Sequence, residues 1–375
     1  MVKRANSAII QDMVIGIEAE RANNPQKTGV EHYAKQLILH LAQIDKANSY
    51  VLYLRTKPEN WFLSLPSNFK VKVIPFPIFW TQLRISWEMF LRPVDVLFIP
   101  ASALPIIHPK KSVVTIHDLA WKYFPDSFTS FMRNFLEWST GFAVKRASAI
   151  IAVSQSTKND LVKFCKVDAA KVFVIHHGFG EASRADDNLS QSLKSILPQQ
   201  YVLFLSTLQP RKNLEKLIDA FRVLKSQNTG LPHKLVVAGR PGWKFESILE
   251  KIKQNADIAV YLNHVSDEDR FILLRRADML VLPSFYEGFG MQILEAFDAG
   301  TPVATSNVSS MPEVAGEAAV YFNPSDVNDI AGALKMVLDD KSLADKLRQA
   351  GKNRLKDFAW EKCARETLGV LSKIK

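Results

Sequence analysis

Short apolar runs recur along the chain, separated by stretches with helical spacing. After a first strand-like run around Val14 to Ile17, they are YVLYL from 50, KVKVI from 70, VDVLFI from 94, SVVTI from 112, AIIAVS from 149 and VFVIHH from 172. Each is as short and aliphatic as a strand buried on both faces of a sheet should be. Between them, GVEHYAKQLILHLAQID from Gly29 places Tyr33, Leu37, Leu41 and Ile44 on one helical face, and SQSTKNDLVKFC opens on serines suited to an N-cap. This alternation predicts a mostly parallel α/β sheet covered on both sides.

The pattern weakens across GEASRADDNLSQSLKS, residues 180–195, which reads as a polar linker. It restarts with YVLFLS from 201, KLVVAG from 234, IAVYL from 258, MLVLP from 279 and PVATS from 302. Two similar halves facing each other would hold a ligand outside the carboxyl ends of their strands. The final WEKCARETLGVLSKI is amphipathic and suited to cross back onto the first half.

Bulk properties narrow the function classes. A chain of 375 residues, 47% of them apolar, is expected to be globular and two-domain. It contains no apolar stretch of about 18 residues and its start lacks a signal-peptide core, which predicts a cytoplasmic protein. Cys165 and Cys363 have no partners at a disulfide or zinc spacing, so reduced buried thiols are expected. The net charge of +10 is concentrated early: residues 1–200 carry 24 Lys/Arg against 16 Asp/Glu, and residues 201–375 carry 24 against 22. A basic face meets nucleic acid, anionic membrane or phosphorylated substrate. With no helix-turn-helix, zinc-finger or RNA-binding motif, nucleic acid is not expected.

The candidate chemistry lies at strand-to-helix junctions. In SFYEGFGMQILEAFDAGTPVATSN, residues 284–307, Glu287 and Glu295 flank a Gly-aromatic-Gly turn where a buried strand hands over to a helix. Such a helix start offers unpaired N–H groups and partial positive charge to an anion, and the two carboxylates suit separate parts of an elongated ligand. The plainer alternative is a pair of helix-solvating glutamates. Arg211 and Lys212 in STLQPRKNLEKLIDAF follow another strand end, either neutralising a diphosphate or forming an exposed basic turn. His117 and Asp118 close SVVTIHD, and Gly29 precedes a helix whose first N–H groups suit a phosphate. Asp267 and Asp269 form an Asp-x-Asp around Glu268, but Ser266 before them makes a capped helix the better reading than a metal site.

Together these residues resemble the GT4 family of retaining glycosyltransferases with the GT-B architecture. Glu287, seven residues, then Glu295 within EGFGMQILEAFDAGTPVATSNVSSMPEV is the most specific element; PRKN, the His117–Asp118 pair and the Gly29 loop follow in the expected order. The resemblance implies an N-terminal Rossmann-like acceptor-binding domain at 1–185, a C-terminal donor-binding domain at 186–357 and a terminal helix at 358–375 that crosses back. It implies that Glu287 contacts the donor sugar and that Gly288, Phe289, Gly290 and Met291 approach the sugar and diphosphate. It also implies that Glu295 holds the ribose, Lys212 and Arg211 hold the diphosphate, His117 faces the sugar and Gly29 lies near the phosphate. No cofactor or metal is implied. One departure is that Ser206 and Thr207 stand where many members have a Gly-Arg pair.

A nucleoside-diphosphate sugar donor is therefore expected, GDP-mannose first and a UDP-sugar next, with a glycan or lipid-linked acceptor in cell-surface polysaccharide assembly. A sugar-nucleotide epimerase and a non-catalytic nucleotide-sugar binder are the alternatives. Finally, PFPIFWTQLRISWEMFLRP, residues 75–93, mixes Phe76, Phe79, Trp80, Trp87 and Phe90 with Arg84 and Arg92. It reads as core, or as a peripheral contact with an anionic membrane.

Overall fold

The structure, a computed structural model, describes residues 13–24, 29–180 and 189–374. Seven strands form the first sheet: β1 (Val14–Glu18), β2 (Ser49–Leu54), β3 (Phe69–Val73), β4 (Val96–Ile99), β5 (Ser112–Ile116), β6 (Ala149–Ala152) and β7 (Val172–Val174). Their order is β3-β2-β1-β4-β5-β6-β7 and every pairing is parallel. The second sheet holds β8 (Tyr201–Leu205), β9 (Lys234–Ala238), β10 (Ala259–Asn263), β11 (Met279–Leu282), β12 (Val303–Ser306) and β13 (Ala319–Phe322), ordered β10-β9-β8-β11-β12-β13, again all parallel.

The continuous apolar runs become strands because helices cover both faces of each sheet. Every residue of β4, β5, β6, β8, β11 and β12 is buried. The runs read from the pattern are all strands; β13 is an addition, a four-residue AVYF run at the sheet edge whose Val, Tyr and Phe do favour a strand.

Strand order reverses direction between β1 and β4 in the first sheet and between β8 and β11 in the second. In open parallel sheets such switch points leave a crevice at the carboxyl ends, where ligands bind. The expected linker is shorter than its polarity suggests. Residues 181–188 lie outside the described residues, but Leu189 and Leu193 are buried in the core of the second sheet, around a short helix, Gln191–Lys194. Their four-residue spacing was the signal.

The terminal helix, Trp360–Lys373, crosses back onto the first half as its amphipathicity predicts: Trp360, Cys363, Ala364, Val370 and Leu371 join the core that packs the helix Gly29–Ile44 against the first sheet. Both cysteines are free. Burial pushes the Cys363 thiol up to about 12, while Cys165 is only half-buried. Among the described residues, no helix is long and apolar enough to cross a membrane.

The 75–93 segment divides between core and surface. Trp80 is buried and donates Nε1–H to the Ile74 carbonyl at 2.7 Å, whereas Phe79, Trp87 and Phe90 are exposed. Arg84 and Arg92 both pair with Glu88, a buried carboxylate that Lys72 also contacts.

Candidate active site

Both second-sheet switch-point loops contribute charge. After β8, a single 3-10 turn, Pro210–Lys212, ends at Asn213 in the left-handed region, which aims Arg211 and Lys212 at the loop after β11. That loop carries Glu287. Lys212 Nζ donates to Glu287 Oε1 at 2.5 Å, Ser284 Oγ donates to the same oxygen at 2.7 Å, and Arg211 Nη1 approaches Oε2 at 3.4 Å. Burial alone would raise the Glu287 pKa, but Lys212 and Arg211 hold it below the usual carboxylate range. Burial lowers the Lys212 pKa and Glu287 opposes that shift. Two cations thus surround one carboxylate, with the Asp118 carboxylate also acting on Lys212, so positive charge is concentrated at Arg211 and Lys212.

Gly290, at φ 100°, turns the chain into the helix Met291–Ala299, a conformation that penalises side chains with a Cβ. Glu295 lies on this helix and pairs through Oε1 with Arg270. Its other oxygen, Oε2, is buried and has no hydrogen-bond partner among the described residues. An unpaired buried carboxylate oxygen is costly unless a donor arrives, and a ligand hydroxyl is such a donor.

Gly288 plays a different part from the one expected. A Cβ there would stand 2.0 Å from the His117 carbonyl oxygen, so the first domain, and not a ligand, approaches this backbone. Ser154 Oγ donates to the Gly288 carbonyl at 2.7 Å from across the interface. Phe289 is likewise buried, with its ring stacked on His177 at 4.9 Å. Of the expected ligand-approaching stretch, half-buried Met291 at the helix start is the more open end.

His117 follows β5, and its Nε2 lies 3.0 Å from the carbonyl of Pro100, just beyond β4. A carbonyl only accepts, so Nε2 carries the proton and Nδ1 is left as an acceptor in the neutral ring. Burial keeps His117 neutral by lowering its pKa. Gly29 begins the helix Gly29–Ile44 as expected, and a Cβ there would meet nothing within 4 Å. Among the described residues, no contact therefore demands glycine at that position. Ser266 caps Asp267–Arg276 by accepting from Asp269 N at 3.1 Å, and Asp269 accepts from Ser190 N at 2.8 Å. The Asp-x-Asp residues thus serve the helix start.

Several residues escaped the pattern. Glu18 ends β1 at the first switch point, and burial pushes its carboxyl up to about 7. His177 is buried among Tyr33, His117, Phe289 and Trp360, and burial holds its pKa well below the ordinary value. Glu313 crosses the interface to accept from Gln155 N at 2.8 Å, capping the helix Gln155–Cys165, and lies 2.6 Å from His176 Nε2. Only the two adjacent histidines offered a sequence signal.

The comparisons agree with this architecture. Residues 27–180 match the description Glycosyltransferase Family 4, and residues 186–354 match Glycosyl transferases group 1. O-antigen chain mannosyltransferase B of Escherichia coli is 29% identical over 272 residues, covering 70% of each chain. The serotype-specific mannosyltransferase WbdA of Escherichia coli is 30% identical over 271 residues, covering 68% of this chain and 32% of that much longer one. The structure of Anabaena HepE in complex with UDP and glucose superimposes with a TM-score of 0.70 at 17% identity, covering 96% of this chain and 99% of that one. The two family matches lie side by side over most of the chain, each centred on one of the two parallel sheets, and the chain belongs to the family 4 glycosyltransferases of the GT-B fold.

Proposed function

We propose that this protein transfers a sugar, with retention of anomeric configuration and without a metal ion, from a nucleoside-diphosphate sugar to a glycan or glycolipid acceptor in cell-surface polysaccharide assembly. GDP-mannose is the first donor to test, because the mannosyltransferases it resembles assemble O-antigen chains; a UDP-sugar is next, because HepE is seen with UDP. The observation that carries the reading is the charge arrangement at the second switch point. Arg211 and Lys212 flank ionised Glu287, and the buried Oε2 of Glu295 lacks a donor among the described residues.

In this reading the ribose hydroxyls satisfy Glu295, and Glu287 accepts from the donor sugar's hydroxyls. As the sugar–phosphate bond breaks, negative charge grows on the diphosphate. The positive charge of Arg211 and Lys212, with the N–H groups at the start of Met291–Ala299, then stabilises the transition state more than the ground state. The first N–H groups of the helix that Gly29 opens serve the same diphosphate from the other domain. His117 faces the donor sugar with Nδ1 as a hydrogen-bond acceptor. The leaving phosphate assists removal of the acceptor proton on the same face of the sugar, which is what retention without a protein nucleophile requires. Nucleotide release measured across a donor panel, with and without EDTA, tests this reading.

A peripheral position on the inner face of the membrane belongs to the same proposal. Phe79, Leu83, Trp87, Phe90 and Leu91 are exposed on the first domain, and the first 200 residues carry the chain's excess of basic side chains.

A further inference from the structure

Beyond the crevice that holds Glu287, the two domains enclose a second pocket, of about 810 Å³, between the helix Gln155–Cys165 and the loops after β11 and β12. Nothing in the transfer reaction described above uses it. We infer that this pocket binds the sugar chain of the acceptor, several units away from the transferred sugar.

The chemistry of the lining selects a neutral carbohydrate. Beside Val308 and Pro312, its apolar lining is aromatic: Tyr123 and Tyr286 have ring centroids 4.9 Å apart, and Phe124 and Phe285 lie 6.4 Å apart, each pair joining one domain to the other. The two tyrosine hydroxyls both donate to Asp160, at 2.6 and 2.7 Å, which holds the rings in place; Tyr286 is buried, and exposed Tyr123 with half-buried Phe124 and Phe285 supplies the ring surface on offer. Aromatic faces carry partial negative charge and attract the C–H faces of sugar rings. Beside them, exposed Gln155 and Asn159 supply amides, joined by a 2.8 Å hydrogen bond, that match neighbouring sugar hydroxyls.

Other ligand classes fit less well. Asp160 and Glu313 place carboxylates in the wall, where a phosphate would be repelled, and exposed Lys163 is the lining's single Lys or Arg. The amides and carboxylates would be stranded against a lipid chain. The volume falls within the range of about 300–1,000 Å³ typical of ligand sites.

Hydrogen bonds tie the wall of the pocket to the loop that carries Glu287. Ser309 lines the pocket, accepts from Glu287 N at 3.2 Å and donates to the Glu287 carbonyl at 2.6 Å. A glycan seated there would be sensed by the loop that carries Glu287, which couples occupancy of the pocket to the geometry of the donor site.

The inference rests on the glycan-acceptor reading, so the test uses binding without donor. Calorimetric titration of the full chain with mannobiose and mannohexaose should show the hexaose binding about tenfold more tightly. Asn159→Ala, a change at an exposed position that leaves the fold intact, should abolish that difference, and so should Phe124→Ala. Equal affinity of the parent for both sugars, or an undiminished preference in both variants, overturns the inference. A parent that binds the hexaose through these residues, yet releases nucleotide from no donor, refutes the transfer reading and keeps the pocket.

Discussion

Lys212 and Glu287 form a buried ion pair at 2.5 Å, at the point where the loops after β8 and β11 meet. Removing one partner of such a pair leaves an uncompensated charge, which typically costs about 3–5 kcal/mol. Glu287→Gln is therefore expected to lose turnover and stability together. The double variant Glu287→Gln/Lys212→Met should recover much of the stability and none of the turnover. Urea denaturation beside single-turnover kinetics separates the two effects, and a double variant as active as the parent would remove Glu287 from the reaction.

Glu295 makes a contrasting prediction. One oxygen pairs with Arg270, and Oε2, without a partner among the described residues, is the atom that the proposed reading gives to the nucleotide. Glu295→Gln should weaken GDP binding by roughly tenfold or more, the equivalent of one charge-assisted hydrogen bond. Loss of the Arg270 ion pair should lower thermal stability as well, so affinity is read at a temperature where the variant is fully folded. Titration calorimetry with GDP checks this, and unaltered affinity would detach Glu295 from the nucleotide.

The pattern of short apolar runs made the fold legible because strands buried on both faces need no polar alternation. The candidate site was legible wherever its residues share a strand-to-helix junction, as Glu287, Gly290 and Glu295 do. What crosses between domains was not: nothing near Gly288 in sequence announces the His117 carbonyl against it, and nothing near Glu313 announces the helix it caps. Those contacts join residues more than 150 positions apart, and local spacing carries no information about them. The sheet-end strand β13 was missed for its shortness, since its Val320, Tyr321 and Phe322 are strand formers in a run of only four residues.

Stability should fall in mild acid. Burial lowers the pKa of both His117 and His177, and His177 is further opposed by His117, His32 and His176. The unfolded chain takes up these protons near the ordinary histidine value of about 6.5, while the folded protein resists. Their stabilising contribution is complete above that pH and declines as pH falls below it. Thermal denaturation from pH 7.5 downward should show this decline, and His177→Phe should flatten it. An unchanged slope in that variant would assign the acid sensitivity elsewhere.

Membrane contact is best tested through the aromatic side chains. Arg84 and Arg92 neutralise buried Glu88, so replacing them would disturb the fold as well as any lipid contact. Trp87→Ser and Phe90→Ser alter exposed positions instead. Fully burying one phenylalanine side chain contributes about 1.5–3 kcal/mol, so the double variant should lose most of its co-sedimentation with anionic liposomes. The parent's binding should weaken with salt. Equal recovery of both proteins in the soluble fraction at low salt would indicate a soluble acceptor.

In the proposed reaction the charged cluster at the second switch point promotes cleavage of a nucleoside-diphosphate sugar. Incubating the protein with GDP-mannose and a panel of UDP-sugars, in excess EDTA and with glycan acceptors, and then quantifying free nucleoside diphosphate tests it most directly. Acceptor-dependent release from one donor, GDP-mannose first, with an α-linked product and at least a hundredfold loss in Glu287→Gln, is the predicted result; a loss of that size corresponds to about 2.7 kcal/mol of transition-state stabilisation. Release from no donor, or release that Glu287→Gln leaves unchanged, would contradict the account.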